Sequence, residues 1–214
     1  MEITVKKLTD LDLLRRANEF TTGHESKMSL ERAYFYGHSP IRTQIFWVEM
    51  KDIPLFVASQ LVRQHVGVQF FQRSKRVDRG GEDFAYVCNE IASDVAKYWG
   101  NQGPDMMLSL QHQIYQLPNI FDRYAPTDLA CIINAEALIN MAHKRLCFKA
   151  SAETRQVVQM IRNQISAVDP ALARLMQPPC VAHGGICYEP NSCGFNTSDT
   201  CSKIIVSIKS LKLN

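Results

Sequence analysis

No apolar run in this sequence is long enough to cross a membrane, because a spanning helix needs about 20 consecutive, mostly apolar residues. Residues Met1 to Lys7 lack the apolar stretch of a secretory signal peptide. The net charge is only +3 over 214 residues, too small to indicate nucleic-acid binding. Internal repeats and low-complexity tracts are also lacking. We therefore expect a soluble cytoplasmic protein of one domain, with or without a small appendage, and no membrane partner.

The seven cysteines are an odd number and follow no signal sequence, which argues against the disulfide framework of a secreted protein. Cys88, Cys131 and Cys147 are scattered along the chain, and each is predicted to be a small buried hydrophobic residue. Hydrophobic residues make up 46% of the sequence, which is ample for a core.

The other four cysteines crowd into the last 35 residues together with one histidine. These five residues are Cys180, His183, Cys187, Cys193 and Cys201. Four of the five side chains could bind one structural zinc ion, while a reduced, packed or partly disordered tail and disulfides are the alternatives. We therefore divide the chain into a main domain, 1–178, and a cysteine-rich extension, 179–214.

Strand signals concentrate in the first half of the chain. Residues 42–50 are rich in β-branched and aromatic residues and predict a strand. Short helices are predicted over 28–36 and, as a buried element, over 55–63.

Helix signals dominate the second half, where apolar residues recur at helical spacing. Helices are predicted over 85–99, 105–117, 127–145 and 152–168, with Thr127 or Asp128 as the N-cap of the third. Strands early and helices late indicate an α+β fold.

The segment from Ser59 to Arg76 concentrates hydrogen-bond donors directly after an apolar run. It holds three arginines, one lysine, one histidine and four glutamines in 18 residues. Guanidinium groups bind anionic oxygens through two parallel hydrogen bonds, so the segment predicts an anionic ligand. The alternative is an exposed basic helix end beside a core helix.

Two further segments carry polar residues with a possible function. In Gly37-His38-Ser39-Pro40, the residues predict a turn with a cap or a ligand contact. In the predicted helix 127–145, eleven residues at about 100° each return Arg145 to the face of Asn134, about 16 Å along the axis. One helix could therefore present an amide to one ligand and a guanidinium to another.

These segments, in this order, resemble motifs of the flavin-dependent thymidylate synthases over roughly residues 28–170. The family signature reads roughly Q-x-x-R-H-R-x7-S-x-R, and its matching residues here are Gln60, Arg63, His65, Ser74 and Arg76. The match requires one inserted residue, most simply Gln64, and Val66 stands where the family has its second arginine. The family helix N-x-R-[SA]-L-x-N-F-x-x-x-R is matched at Asn134, Asn140 and Arg145.

The helix motif departs from the family at Glu136, where the family has arginine. A carboxylate beside a flavin or a phosphate is unfavourable, so we expect Glu136 to face elsewhere or to have a new partner.

The resemblance also implies a role for each matching residue. The implied flavin contacts are Ser39, Arg63, Gln64, His65, Gln72, Asn134 and Asn140. The implied nucleotide contacts are Gln60, Arg63, Ser74, Lys75, Arg76 and Arg145. Arg145 is in addition the implied catalytic residue, because its family counterpart is credited with polarising the pyrimidine ring.

The resemblance implies an α+β subunit with an antiparallel sheet and a helix-rich C-terminal half, in a homotetramer whose sites combine several subunits. It further implies FAD, methylenetetrahydrofolate as carbon donor, NADPH as reductant, and conversion of dUMP to dTMP without a protein nucleophile. One alternative is a sister enzyme that modifies another pyrimidine nucleotide, by dCMP methylation or by hydroxymethylation. The other is a non-catalytic relative that only binds flavin or nucleotide.

Overall fold

The structure is a computed structural model and describes residues 1–74 and 123–210. Lys75, Arg76 and the helices predicted over 85–99 and 105–117 lie outside these ranges. In the described ranges, no helix has the length and apolar character needed to span a membrane.

Four strands form one antiparallel sheet in the described part of the chain. They are β1 (Glu2–Lys7), β2 (Ile45–Pro54), β3 (Val68–Gln72) and β4 (Pro126–Asn134), in the spatial order β1-β2-β4-β3. Phe46, Val48 and Met50 alternate with more exposed residues along β2, and all three are buried. One face of the sheet therefore forms a wall of the core.

The α-helices of the described ranges cover this core. They are α1 (Leu11–Thr22), α2 (Leu30–Tyr36), α3 (Leu55–Leu61), α4 (Ala135–Arg145), α5 (Ala152–Val168), α6 (Pro170–Leu175), α7 (Pro179–Ala182) and α8 (Asp199–Lys209). Short 3-10 helices lie at Ser39–Thr43 and Phe195–Thr197. The α+β fold with an antiparallel sheet and a helix-rich second half is confirmed.

Two predicted helices end where strong local signals end them. The helix predicted over 28–36 begins at Leu30, because Ser29 accepts a hydrogen bond from the backbone N–H of Arg32 and caps it. It ends as predicted at Tyr36, before Gly37 in the left-handed conformation. Helix α5 spans the predicted 152–168, with Ser151 as its N-cap.

The predicted helix 127–145 is wrong in its first part, where residues 126–134 form strand β4. Thr127, Leu129 and Cys131 are buried in alternation with more exposed neighbours, which is the period of a strand. The helix begins only at Ala135, and Asn134 is its N-cap rather than a residue of its first turns.

A buried polar cluster joins the sheet to the helices. The Asp169 carboxylate accepts hydrogen bonds from Lys7 Nζ at 2.6 Å and from the Tyr34 hydroxyl at 2.8 Å. Its other oxygen accepts from the backbone N–H of Leu172 and so caps α6. Burial, followed by the charge and hydrogen bond of Asp169, raises the pKa of Tyr34 strongly, so that its hydroxyl remains a donor.

We expect Tyr34→Phe to lower the free energy of unfolding by about 1.5–3 kcal/mol, the range for a hydrogen bond to a charged group. Denaturant unfolding monitored by circular dichroism measures this. Tyr36→Phe, in the same helix but on an exposed side chain, is the matched control and should change little. Equal stability of the two variants would contradict a stabilising role for this cluster.

Candidate active site

The C-terminal ends of α3 and α4 meet through Arg145. Its Nη2 donates to the backbone carbonyl of Gln60 at 2.5 Å, which satisfies a carbonyl left unpaired by the end of α3. The Gln60 side chain in turn accepts from the Thr154 hydroxyl at 3.0 Å, and Thr154 accepts from Ser151 at 2.8 Å. Three helices thus orient Arg145, and within residues 1–74 and 123–210 its remaining N–H groups form no other hydrogen bond.

Two guanidinium groups share this region. Burial and, after it, the positive charge of Arg63 lower the pKa of Arg145. Both remain protonated, because an arginine does not lose its proton in a protein. Within the described ranges neither one forms a salt bridge. Their repulsion would be relieved by an anion bound between them.

The N-terminal end of α4 lies against the turn that precedes β3. The backbone N–H of Asn134 donates to the carbonyl of Gly67 at 2.9 Å, and Asn134 Oδ1 accepts from the backbone N–H of Ala137 at 2.9 Å. Gly67 has φ +75°, and a Cβ atom on it would lie 2.6 Å from Asn134 Nδ2. Only glycine fits this turn without displacing the Asn134 amide.

The segment 60–67 therefore contacts both ends of α4, a helix of 11 residues and so about 16 Å long. This segment runs from Gln60, whose carbonyl accepts from Arg145, to Gly67, whose carbonyl accepts from the N–H of Asn134. Arg63 and His65 are exposed along it, and Gln64 Nε2 donates to the carbonyl of Val66 at 3.2 Å. The predicted flavin contacts of this segment thus share one surface stretch with Gln60.

Ser39 lies at the start of the 3-10 helix that packs against the first turn of α4. Arg42 in the same short helix donates to both carboxylate oxygens of Glu136, at 2.8 and 3.2 Å. These bonds raise the pKa of Arg42. The expectation that Glu136 has a new partner is confirmed, and its charge is neutralised there rather than directed at a ligand.

Asn140 does not share a face with Arg145. It is exposed and four residues after Glu136, so these two lie on the same face of α4. Arg145 is five residues further on, about 140° around the axis. One α4 helix therefore presents Asn140 and Arg145 in different directions.

The second half of the predicted signature lies at the opposite end of β3. Gln72 ends the strand, where its Nε2 donates to the Thr127 hydroxyl at 3.4 Å, and Ser74 follows. The five residues of β3 therefore lie between the segment 60–67 and Ser74.

Sequence reasoning missed two residues that build this site. Gly67 makes room for Asn134, and Arg42 neutralises Glu136. A signal existed only for Gly67, a glycine within a segment otherwise rich in large residues, because the Arg42–Glu136 contact joins residues 94 positions apart. The resemblance of residues 150–155 to a family helix start predicts that this segment packs against and orients the helix of Arg145, and Thr154 contacts Gln60, which holds Arg145.

The five predicted zinc ligands of the tail are not brought together. In the described ranges, no three His, Cys, Asp or Glu side chains are arranged to hold a metal ion. Cys180 and Cys201 are buried in one small cluster, whereas the His183 ring packs edge-on against Tyr188. The geometry gives zinc no support, and elemental analysis of untagged protein would test that prediction directly.

The donors at the ends of α4 fit an electron-rich phosphate ligand. The two guanidinium groups lack a carboxylate partner, and Asn134 Nδ2 has no hydrogen-bond partner within the part of the chain described. Such a set can accept a flavin pyrophosphate or a nucleotide phosphate, because both need charged and neutral donors. The residues present therefore fit FAD.

Two solved structures similar to this chain show the same fold. A flavin-dependent thymidylate synthase of Helicobacter pylori, complexed with FAD and dUMP, is 18% identical with a TM-score of 0.56, over 83% of this chain and 100% of that one. A second structure of the Helicobacter pylori enzyme with FAD and dUMP is 19% identical with a TM-score of 0.53, over 80% and 97%.

A UMP/dUMP methylase of Streptomyces cacaoi, bound with 5-Br dUMP, is 14% identical with a TM-score of 0.49, over 81% of this chain and 94% of that one. A search of curated proteins found no match. The family model described as thymidylate synthase complementing protein matches residues 12–171, which include α4 and the whole segment 60–67. The chain therefore belongs to this family, the flavin-dependent thymidylate synthases whose motifs it resembles.

Proposed function

We propose that this protein converts dUMP to dTMP in the cytoplasm, with FAD bound, methylenetetrahydrofolate as carbon donor and NADPH as reductant. The observation that carries the proposal is the pair of guanidinium groups, Arg63 and Arg145, which form no salt bridge in the described part of the chain and lie in a family match that covers residues 12–171. Bound FAD would supply hydride transfer, so that no protein nucleophile is required.

Arg145 is the residue that acts on the pyrimidine. Its position is fixed by Gln60, and Gln60 is fixed by Thr154, so the guanidinium is oriented before a ligand arrives. A preorientated cation stabilises negative charge that develops on a ring oxygen without having to reorganise during the reaction. Arg63 adds a second positive charge for the phosphate of the nucleotide or the flavin.

The other end of α4 and the end of β3 serve the remaining parts of the ligands. Asn134 offers its amide beside Gly67, next to the exposed His65. Ser39, Asn140, Gln72 and the Ser74-Lys75-Arg76 segment complete the proposed flavin and nucleotide contacts. The homotetramer with intersubunit sites that the family resemblance implies would let residues of several subunits complete the site.

The experiment is a spectrum followed by a turnover assay of the untagged protein. We expect a yellow protein whose flavin absorption bleaches with NADPH and returns when dUMP and methylenetetrahydrofolate are added, with dTMP as the product by mass. The same assay with dCMP is the control for substrate. Methylated or hydroxymethylated dCMP would replace our proposal by the sister-enzyme function, and a protein that neither binds FAD nor forms a product would overturn it.

A further inference from the structure

Two cysteines form the centre of a small second core in the C-terminal extension. Cys180 in α7 is 8% exposed and Cys201 in α8 is 0% exposed, and both belong to one cluster of packed residues between these helices. Together with Val181 they form a cluster separate from the main core. The partly buried residues that pack on it are Phe195, Ile204, Ile205 and Ile208.

The backbone around each sulfur is held by local hydrogen bonds. Cys201 lies in the first turn of α8, where its N–H donates to the Ser198 hydroxyl that caps the helix. The carbonyl of Cys180 accepts from the N–H of Gly185 at 2.7 Å. The backbone of each cysteine is thus held in place, and the shared buried cluster brings the two residues together, as an intramolecular disulfide requires.

We propose that Cys180 and Cys201 form a reversible disulfide with each other, with oxidised glutathione as the oxidant. This bond links α7 covalently to α8. The Cys180 thiol loses its proton, and its sulfur attacks one sulfur of oxidised glutathione. One reduced glutathione leaves and takes up that proton. The Cys201 sulfur then attacks the Cys180 sulfur, loses its own proton and releases the second reduced glutathione. Two cysteines are oxidised and one glutathione disulfide is reduced, so atoms and electrons balance.

Burial of Cys180 and Cys201 slows the thiol–disulfide exchange but does not prevent the disulfide from forming. Burial and the adjacent Cys201 raise the pKa of Cys180 to about 11, so that the reactive thiolate is scarce at neutral pH. Attack must then await local opening of α7 and α8. A reversible pair of this kind is compatible with a reducing compartment, where disulfides serve as transient redox sensors.

The pair is connected to the loop that follows Arg145. Phe195 packs on the cysteine cluster, and its ring lies 5.0 Å from that of Phe148, centroid to centroid. The Arg155 guanidinium lies 5.2 Å from the Phe148 ring centroid and donates to the Phe148 carbonyl at 3.1 Å. Locking the extension would therefore hold this loop in place. This consequence, unlike the disulfide itself, rests on the proposed function.

The test is thiol mapping of the full-length wild-type protein, equilibrated across a series of oxidised-to-reduced glutathione ratios at pH 8. After acid quenching and alkylation under denaturing conditions, peptide masses identify each protected cysteine. We expect Cys180 and Cys201 to lose alkylation together, in one disulfide-linked peptide that dithiothreitol restores. Cys193→Ser, at an exposed thiol, should preserve the linkage, and Cys201→Ser should abolish it.

Three results would overturn the proposal. The first is that both thiols remain alkylatable at every glutathione ratio. The second is a different pairing with Cys147, Cys187 or Cys193, three thiols that together with Cys180 line a neighbouring cavity of about 150 Å³. The third is stoichiometric zinc that protects the thiols. Because the mapping uses neither flavin nor nucleotide, its result is independent of whether the proposed reaction occurs.

Discussion

Arg145→Lys should lower kcat for dUMP about 10²–10³-fold, the range found when one preoriented donor of a transition state is removed. In the folded protein one N–H of Arg145 is already donated to the Gln60 carbonyl at 2.5 Å. A lysine in its place keeps one charge on a flexible stem but cannot bond the carbonyl and a ring oxygen in a fixed plane. We therefore expect kcat to fall although the substitution leaves the net charge unchanged.

Single-turnover kinetics with saturating dUMP measure this effect separately from binding. We expect kcat to fall more than the affinity for dUMP, because the interaction strengthens as charge develops on the ring. Arg32→Lys is the matched control, since it makes the same chemical change at an exposed residue outside the site. Wild-type turnover by Arg145→Lys would remove the catalytic role from this residue.

The sequence predicted those elements whose ends carry strong local signals. Helix α5 has a serine N-cap and a long apolar stripe, and it spans the predicted residues. Strand β4 was mistaken for the beginning of a helix because its apolar residues fit both periods over a short run. Residues 126–134 form a strand because they pair with β2 on one side and β3 on the other. A local sequence pattern does not contain such long-range contacts.

The candidate site shows the same division. Composition predicted that the segment from Ser59 to Arg76 binds an anionic ligand, and motif order predicted a nucleotide contact at Arg145. In the structure, burial and then the positive charge of Arg63 lower the pKa of Arg145. Glu136 was expected to have a partner because a carboxylate beside a phosphate is unfavourable. The identity of that partner, Arg42, depends on how the short 3-10 helix packs against α4. The charge of Glu136 therefore predicted that it needs a partner, whereas only tertiary packing identifies that partner as Arg42.

Gly67→Ala should destabilise the protein by about 2–3 kcal/mol and weaken FAD binding roughly 10-fold or more. A left-handed conformation at a residue with a Cβ costs about 1–2 kcal/mol, and Gly67 has φ +75°. The added Cβ would also lie 2.6 Å from Asn134 Nδ2 and displace the side chain that caps α4, which costs about 1 kcal/mol more. Loss of one hydrogen bond from the Asn134 amide to the flavin, about 1.4 kcal/mol, corresponds to the 10-fold change.

Gly23→Ala separates the two causes, because Gly23 has nearly the same φ, +73°, but no neighbouring atom of the described residues lies within 4 Å of a Cβ built there. It should show only the conformational part of the destabilisation and bind FAD as the wild type does. Denaturant unfolding gives the stabilities, and titration of flavin fluorescence gives the affinities. If Gly67→Ala and Gly23→Ala bound FAD equally well, the turn at Gly67 would not position Asn134 for the flavin. Because an alanine at either position has the same strained left-handed backbone, any difference between the variants in FAD affinity reports the contact with Asn134.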